Sequence, residues 1–237
     1  MKKLALILLL CFGLSSLMAQ NAVNSKGNRH GKWSGIYEDT KNVRYEGEFN
    51  DGKEIGVFYL YDNTKKKVVI STRDYTRKDG LVLEIFFDQS GNKISEGTLK
   101  NKQKHGKWTY YFKGSKQVMS EDNYLNGKLN GESKTYFKNG VLLESKNYKD
   151  DLLEGKYQRF SEKKLLLHNL MYANGKLNGP GEYYTSSGKI YTKGDYKDNM
   201  KIGKWPVFDK NGKEVEVSTV QKTNPKRASK LKNNKTN

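Results

Sequence analysis

The 237-residue chain has one cysteine, three histidines and three prolines. The cysteine, Cys11, falls inside an apolar run, Leu4 to Leu14, that follows the basic head Met1-Lys2-Lys3 and precedes Ser15-Ser16-Leu17-Met18-Ala19. That order is the pattern of a secretory signal, with cleavage expected after Ala19. The processed chain would then hold no cysteine, which excludes disulfides, a thiol nucleophile and thiolate metal ligands. Packing and a hydrogen-bond ladder must hold it together. Three other readings of this segment stay open. They are an uncleaved anchor, for which the run is short, a lipid-anchored Cys11, which Leu8-Leu9-Leu10 fit poorly, and a buried core segment.

The scarcity of histidine argues against a metal centre. His30 and His105 each precede a glycine of the repeat described below and stand three repeats apart. Stacked strands would separate them by about 14 Å or more, too far to share one ion. His168 lies in a different place in its repeat. Ser115, Ser133 and Ser161 sit in no Gly-x-Ser-x-Gly elbow. The chain has no glycine-rich phosphate loop, zinc spacing or calcium loop. Glu46 and Glu96 occupy equivalent positions, with Glu121, Glu144 and Thr192 near the same register. Such periodic carboxylates suit a turn or ladder better than the convergent pair of a glycosidase. No catalytic, cofactor-binding or metal-binding residue is expected, and no cofactor.

Apolar residues make up only 35% of the chain, low for a compact globule, while Gly (23) and Tyr (16) are abundant. The formal charge is +18, of which Lys2, Lys3 and the six basic residues between Gln221 and Asn237 supply eight. The remaining body is therefore still basic. Residues 221–237 are polar, poor in aromatics and aperiodic, which predicts a disordered basic tail.

The glycines and tyrosines are periodic. Gly31, Gly56, Gly80, Gly106, Gly131, Gly155, Gly179 and Gly203 recur at spacings of 25, 24, 26, 25, 24, 24 and 24 residues. A second series, Phe49, Tyr75, Leu99, Tyr124, Tyr148, Tyr172 and Tyr196, keeps nearly the same interval. A third stands five residues after each lead glycine: Ile36, Tyr61, Ile85, Tyr111, Tyr136, Phe160, Tyr184 and Phe208. Each repeat reads as two strands and two turns. One strand runs from the lead glycine through the aromatics. A turn such as Lys138-Asn139-Gly140 follows, in which both Asn and Gly tolerate positive φ. After the second strand comes a polar corner such as Asn126-Gly127. No stretch outside the signal segment has capped 3.6-residue periodicity, so the body is expected to be nearly all β. A lone hairpin is marginal in water, and stacked copies share an aromatic seam. The lead glycines are expected mainly where a neighbouring ring leaves no room for Cβ, with positive φ as a further demand.

The residues Tyr45-Glu46-Gly47-Glu48-Phe49, Ser95-Glu96-Gly97, the three Gly-Lys-Trp triplets at Gly31, Gly106 and Gly203, and the corners Leu129–Gly131 and Leu177–Gly179 resemble MORN repeats, in the longer-spaced bacterial form of the antitoxin-like MORN family. The resemblance covers about residues 28 to 217. It departs where Asp74 and Lys146 replace the Gly of the Glu-Gly pair, and where Gly80 lacks an aromatic two residues on. It implies an elongated solenoid of about eight stacked hairpins forming a curved, largely single-layer antiparallel sheet. It implies little chemistry. Eukaryotic arrays of this kind are linked to membrane attachment and scaffolding.

The expected organisation is a signal peptide at 1–19, a short polar linker at 20–27, hairpin repeats at 28–220 and a basic tail at 221–237. Trp33, Trp108 and Trp205 read as solenoid core, with an aromatic platform for carbohydrate or peptide as the other reading. The expected function is that of an exported, non-enzymatic scaffold in the periplasm, at the cell surface or outside the cell, binding a protein or envelope polymer. Attachment to an anionic membrane through the basic tail is the alternative, and a cell-wall hydrolase a third. Export argues against a nucleic-acid partner. Oligomeric state is left open.

Overall fold

The computed structural model describes residues 20–215, so the expected signal peptide, the basic tail and residues 216–220 lie outside the described part. Every regular element among the described residues is a β-strand, and each strand pairing is antiparallel. The all-β, hairpin-after-hairpin class expected from the repeat is the class observed. The chain divides into two compact units, residues 20–103 with 113–116, and 104–112 with 117–215.

In the first unit, β1 (Gly31–Ile36), β2 (Val43–Asn50), β3 (Lys53–Tyr61), β4 (Val69–Asp74), β5 (Val82–Phe87) and β6 (Lys93–Lys100) form an antiparallel meander. The second unit continues the pattern. It holds β7 (Gln103–Tyr111), β8 (Val118–Leu125), β9 (Lys128–Tyr136), β10 (Leu142–Lys149), β11 (Leu152–Phe160), β12 (Leu166–Ala173), β13 (Lys176–Tyr184) and β14 (Ile190–Lys197). It ends in the short strands β15 (Met200–Ile202), β16 (Val207–Phe208) and β17 (Glu214–Val215).

The two kinds of connection differ in chemistry. The polar corners are two-residue turns with both residues at positive φ: Asp51-Gly52 (49°, 80°), Asn126-Gly127 (51°, 83°), Asp150-Asp151 (49°, 71°), Asn174-Gly175 (49°, 80°) and Asp198-Asn199 (49°, 69°). Gly, Asn and Asp enter that region most readily, which accounts for their predominance here; the corner Asn101-Lys102 (51°, 64°) admits a lysine. The turn at Lys138-Asn139-Gly140 is of another type. Only Gly140 has positive φ (80°), and the Gly140 N–H bonds the Phe137 carbonyl at 2.9 Å. This is a type I turn closed by a glycine bulge. The Asn-Gly pair expected to set a doubly left-handed turn there does so instead at Asn126-Gly127 and Asn174-Gly175.

Corners latch onto the repeat before them. The N–H of Gly52 donates to the Arg29 carbonyl (2.8 Å), Gly127 to Lys104 (2.9 Å), Asp151 to Leu129 (3.0 Å), Gly175 to Leu153 (2.8 Å) and Asn199 to Leu177 (2.9 Å). Asp151 and Asn199 return a side-chain oxygen to the N–H of Leu129 and Leu177, each at 2.7 Å. Neighbouring hairpins are thereby joined at their ends as well as along their strands.

Five of the eight lead glycines lie inside strands, three residues after the start of β3, β7, β9, β11 and β13, while Gly31 opens β1 and Gly80 and Gly203 lie outside strands. Those of β3, β9, β11 and β13 mark an irregularity. Lys146 faces Tyr157 while Tyr148 faces Leu153, so β11 carries extra residues around Gly155. Their reason is conformational. Gly155 has φ +83°, and a Cβ built on it, or on Gly31, Gly56, Gly80 or Gly203, meets nothing within 4 Å. The crowding expected at the lead glycines falls on other glycines. At Gly194 a Cβ would stand 2.5 Å from the Trp205 ring, and at Gly47 it would overlap the Phe58 ring. Gly47 is the glycine of the Tyr45-Glu46-Gly47 motif. Arg73, which pairs with Phe58, takes the inner-face position of the next repeat, rather than Asp74.

Residues 20–27 are tied to β1 rather than strung out as a linker. The Asn21 N–H bonds the Lys32 carbonyl at 2.9 Å, Val23 bridges Arg29, and Trp33 Nε1 donates to the Ala22 carbonyl at 2.8 Å.

Candidate functional site

Directly opposed residues share a face of a sheet and successive residues alternate, so register sorts the side chains. In the first unit one face collects Trp33, Tyr45, Phe49, Phe58, Leu60, Arg73 and Glu84, through the pairs Trp33 with Gly47, Tyr45 with Leu60, Phe58 with Arg73, and Arg73 with Glu84. In the second unit the equivalent face carries Trp108, Asp122, Ser133, Glu144, Lys146, Tyr157, Arg159, His168, Leu170 and Tyr183. The second aromatic series lies on this inner face. Phe49 meets Phe58 edge to face at 5.1 Å, Tyr157 meets Tyr172 at 5.9 Å, and Tyr196 meets Trp205 at 4.8 Å.

The third series does not join them. Tyr61, Tyr136 and Tyr184 directly follow the inner-face residues Leu60, Thr135 and Tyr183, so strand alternation turns these rings to the opposite face, where their hydroxyls donate to Glu46 (2.8 Å), Glu121 (2.9 Å) and Glu182 (2.8 Å). Lysines complete the ladder, Lys67 on Glu46 at 2.6 Å and Lys107 on Glu121 at 2.7 Å. Glu144 lies one residue out of that register and so points to the inner face. It accepts from Tyr157 (2.5 Å) and Lys146 (2.9 Å).

Sequence reasoning passed over a group of residues two before the lead glycines. Arg29, Lys104 and Lys201 lie over the rings of Trp33, Trp108 and Trp205, at 4.9, 4.4 and 4.1 Å from their centroids. Lys104 also lies 4.9 Å from the Tyr124 ring and donates to the Tyr110 hydroxyl at 2.7 Å. Leu129, Leu153 and Leu177 hold the same place in three of the five repeats that lack tryptophan, and Glu54 and Lys78 hold it in the other two. The signal is the spacing: a cation, any residue, Gly, Lys, Trp. Strand positions four apart fall on one face, and the cation rests on the electron-rich ring face. Trp108 is fully buried. Trp108 is therefore core with a cationic cover and offers no open platform, while Trp33 and Trp205 are half-buried beneath theirs.

Concavity concentrates in the first unit. A cavity of about 450 Å³ is lined by Arg29, Tyr37, Arg44, Tyr45, Phe49, Glu54, Phe58, Leu60, Tyr61, Ile70, Arg73 and Tyr75. A volume of this order suits one ring-sized ligand group. Arg73 is committed, its Nε on Glu84 at 2.7 Å, with Glu84 only 4% exposed. Arg29 and Arg44 make no ion pair among the described residues. Arg29 Nη1 reaches the Tyr45 hydroxyl at 3.3 Å, and the Arg44 guanidinium lies 5.6 Å from the Tyr45 ring centroid. Burial first, then the neighbouring Glu54 carboxylate, pushes the Tyr75 pKa upward.

The polar strip of the second unit is saturated rather than poised. Burial raises the Glu144 pKa, but hydrogen bonds from Tyr157 and Lys146 outweigh it and hold the carboxyl below its ordinary 4.5. His168 packs against Tyr183 at 5.1 Å, and burial first, then Arg159 beside it, lowers its pKa and favours the neutral imidazole. A lowered carboxylate pKa contributes stability above the unfolded value, and that stability is lost as pH falls through the folded value. Glu46, Glu121, Glu132 and Glu182 are lowered too, by hydrogen bonds from Lys67, Lys107, Lys134 and Asn169 first. The melting temperature is therefore expected to fall as pH drops below 4.5. Glu144→Gln should flatten part of that fall, and an unchanged pH profile in this variant would remove Glu144 from the account.

The structure gives the residues first examined for chemistry ordinary roles. His30 is exposed and its backbone N–H bonds Ala22. Ser133 is buried and donates to Asp122 at 2.6 Å. Ser161 Oγ accepts from the Leu165 N–H in a turn. No group of three or more His, Cys, Asp and Glu able to hold a metal occurs among the described residues. No protein-family model and no curated protein matches the chain.

Proposed function

We propose that this chain is an exported, MORN-like, non-enzymatic scaffold that binds a protein or envelope-polymer partner along its inner face. The observation that carries the reading is the sorting of side chains. Aromatic rings and arginines gather on one face around the 450 Å³ cavity of the first unit. The opposite face is occupied by paired Glu, Lys and Tyr groups. Repeat arrays use such laterally extended surfaces for recognition because each hairpin adds a similar increment of contact. The carboxylates on the inner face support binding rather than catalysis. Glu84 is held by Arg73, and Glu144 by Tyr157 and Lys146. Neither stands as a member of a free acid–base pair.

The test is a pull-down from the envelope fraction with the full processed chain. A matched chain carrying Tyr45→Asp on the inner face serves as the control. Recovery of a defined partner by the first and its loss with the second is the expected result. Equal recovery by both, or by neither, would sink the reading.

A further inference from the structure

We infer that the cavity of the first unit binds a carboxylated sugar residue, of the uronic-acid type, within a polymer. The inference rests on the scaffold reading above and names the ligand chemistry of its cavity. Three features of the lining have to be met at once. Arg29 and Arg44 are exposed guanidiniums without a carboxylate partner among the described residues, and both converge on Tyr45. Planar guanidinium groups match a carboxylate oxygen for oxygen. The floor is apolar, built from Phe49, Phe58 and Leu60. Glu54, on the same lining, is a carboxylate able to accept hydrogen bonds from a ligand.

Charge decides between anions. With Arg73 neutralised by Glu84, the lining holds two free positive charges and the negative charge of Glu54. The balance suits a monoanion, and Glu54 repels a doubly charged phosphate. Chemistry decides between monoanions. A fatty acid has the carboxylate and the apolar body but no donor for Glu54. A sugar carboxylate brings the anion for the arginines, hydroxyl donors for Glu54, and the C–H face of its ring for the aromatic floor.

Titration calorimetry on the full processed chain tests this, using a short oligogalacturonate, its methyl ester and inorganic phosphate as probes. The expected result is binding of the oligogalacturonate, weakened by salt, with the ester and phosphate each weaker by about tenfold or more. Arg44→Gln, at an exposed side chain, should lower affinity for the acid by about tenfold without changing the melting temperature. Arg29→Gln should do the same, with some loss of stability because that side chain also covers Trp33. Phosphate binding as tightly as the uronate would overturn the assignment, as would uronate affinity indifferent to both substitutions. Failure of every probe while the envelope pull-down still recovers its partner would overturn the ligand and leave the scaffold reading standing.

Discussion

Replacing Trp108 with alanine is expected to cost the second unit about 3–5 kcal/mol, the range for removing a fully buried aromatic ring. Trp108 is the largest side chain with no exposure at all. Its loss leaves a hollow bounded by the Lys104 ammonium, which would then face an apolar void without its ring. Two penalties therefore add, the lost packing and the uncovered cation. Lys104→Met separates them. It keeps the cover and removes the charge, and should cost only about 0.5–2 kcal/mol. Equilibrium denaturation in a Trp33→Phe background reads the second unit, because Trp205 is then the remaining described tryptophan in the alanine variant. A loss below about 1 kcal/mol for Trp108→Ala would show that the ring is not what holds these hairpins together.

Alanine at Gly194 and alanine at Gly155 should fail for opposite reasons. At Gly194 the added Cβ meets the Trp205 ring at 2.5 Å. The indole must then leave its edge contact with Tyr196, its hydrogen bond to the Asp195 carbonyl (3.3 Å) and the Lys201 cation above it. The expected cost is about 3 kcal/mol, at the upper end for overpacking. Gly155 has open space but φ +83°, so the cost there is backbone strain of about 1–2 kcal/mol. Asparagine discriminates the two. It tolerates the left-handed region and should recover part of the loss at Gly155, whereas its larger side chain should make Gly194 worse. If both sites respond alike to Ala and Asn, the division between conformational and packing glycines is wrong.

That division shows where the sequence was legible. Spacings near 24 residues marked the lead glycines, and alternating aromatic stretches marked strands; both are visible because the repeat multiplies each signal. The face taken by each aromatic was not visible. Tyr61, Tyr136 and Tyr184 look like further inner-face core from composition, yet they stand on the opposite face with their hydroxyls on glutamates, and Tyr61 is buried there. Successive residues of a strand alternate faces, and which face becomes the inner one depends on how strands pair, which no residue type announces. Glu144 went unread for the same reason, since a shift of one position carried it from the outer ladder to the inner face.

The covered tryptophans are an intermediate case. A cation two residues before the lead glycine, with tryptophan two after it, stands plainly in the chain at Arg29, Lys104 and Lys201. It acquires meaning only when the structure shows the cation resting on the ring. The cavity of the first unit was still less accessible, because its lining comes from residues between Arg29 and Tyr75.

The sequence by itself determined the period, the all-β class and the hairpin succession, since these follow from local propensity and turn chemistry repeated at a constant interval. Tertiary structure alone decided which face each ring occupies, which glycines are crowded, and which arginines stand unpaired around a cavity. Those outcomes depend on cross-strand register, and register is a relation between segments that no single segment contains.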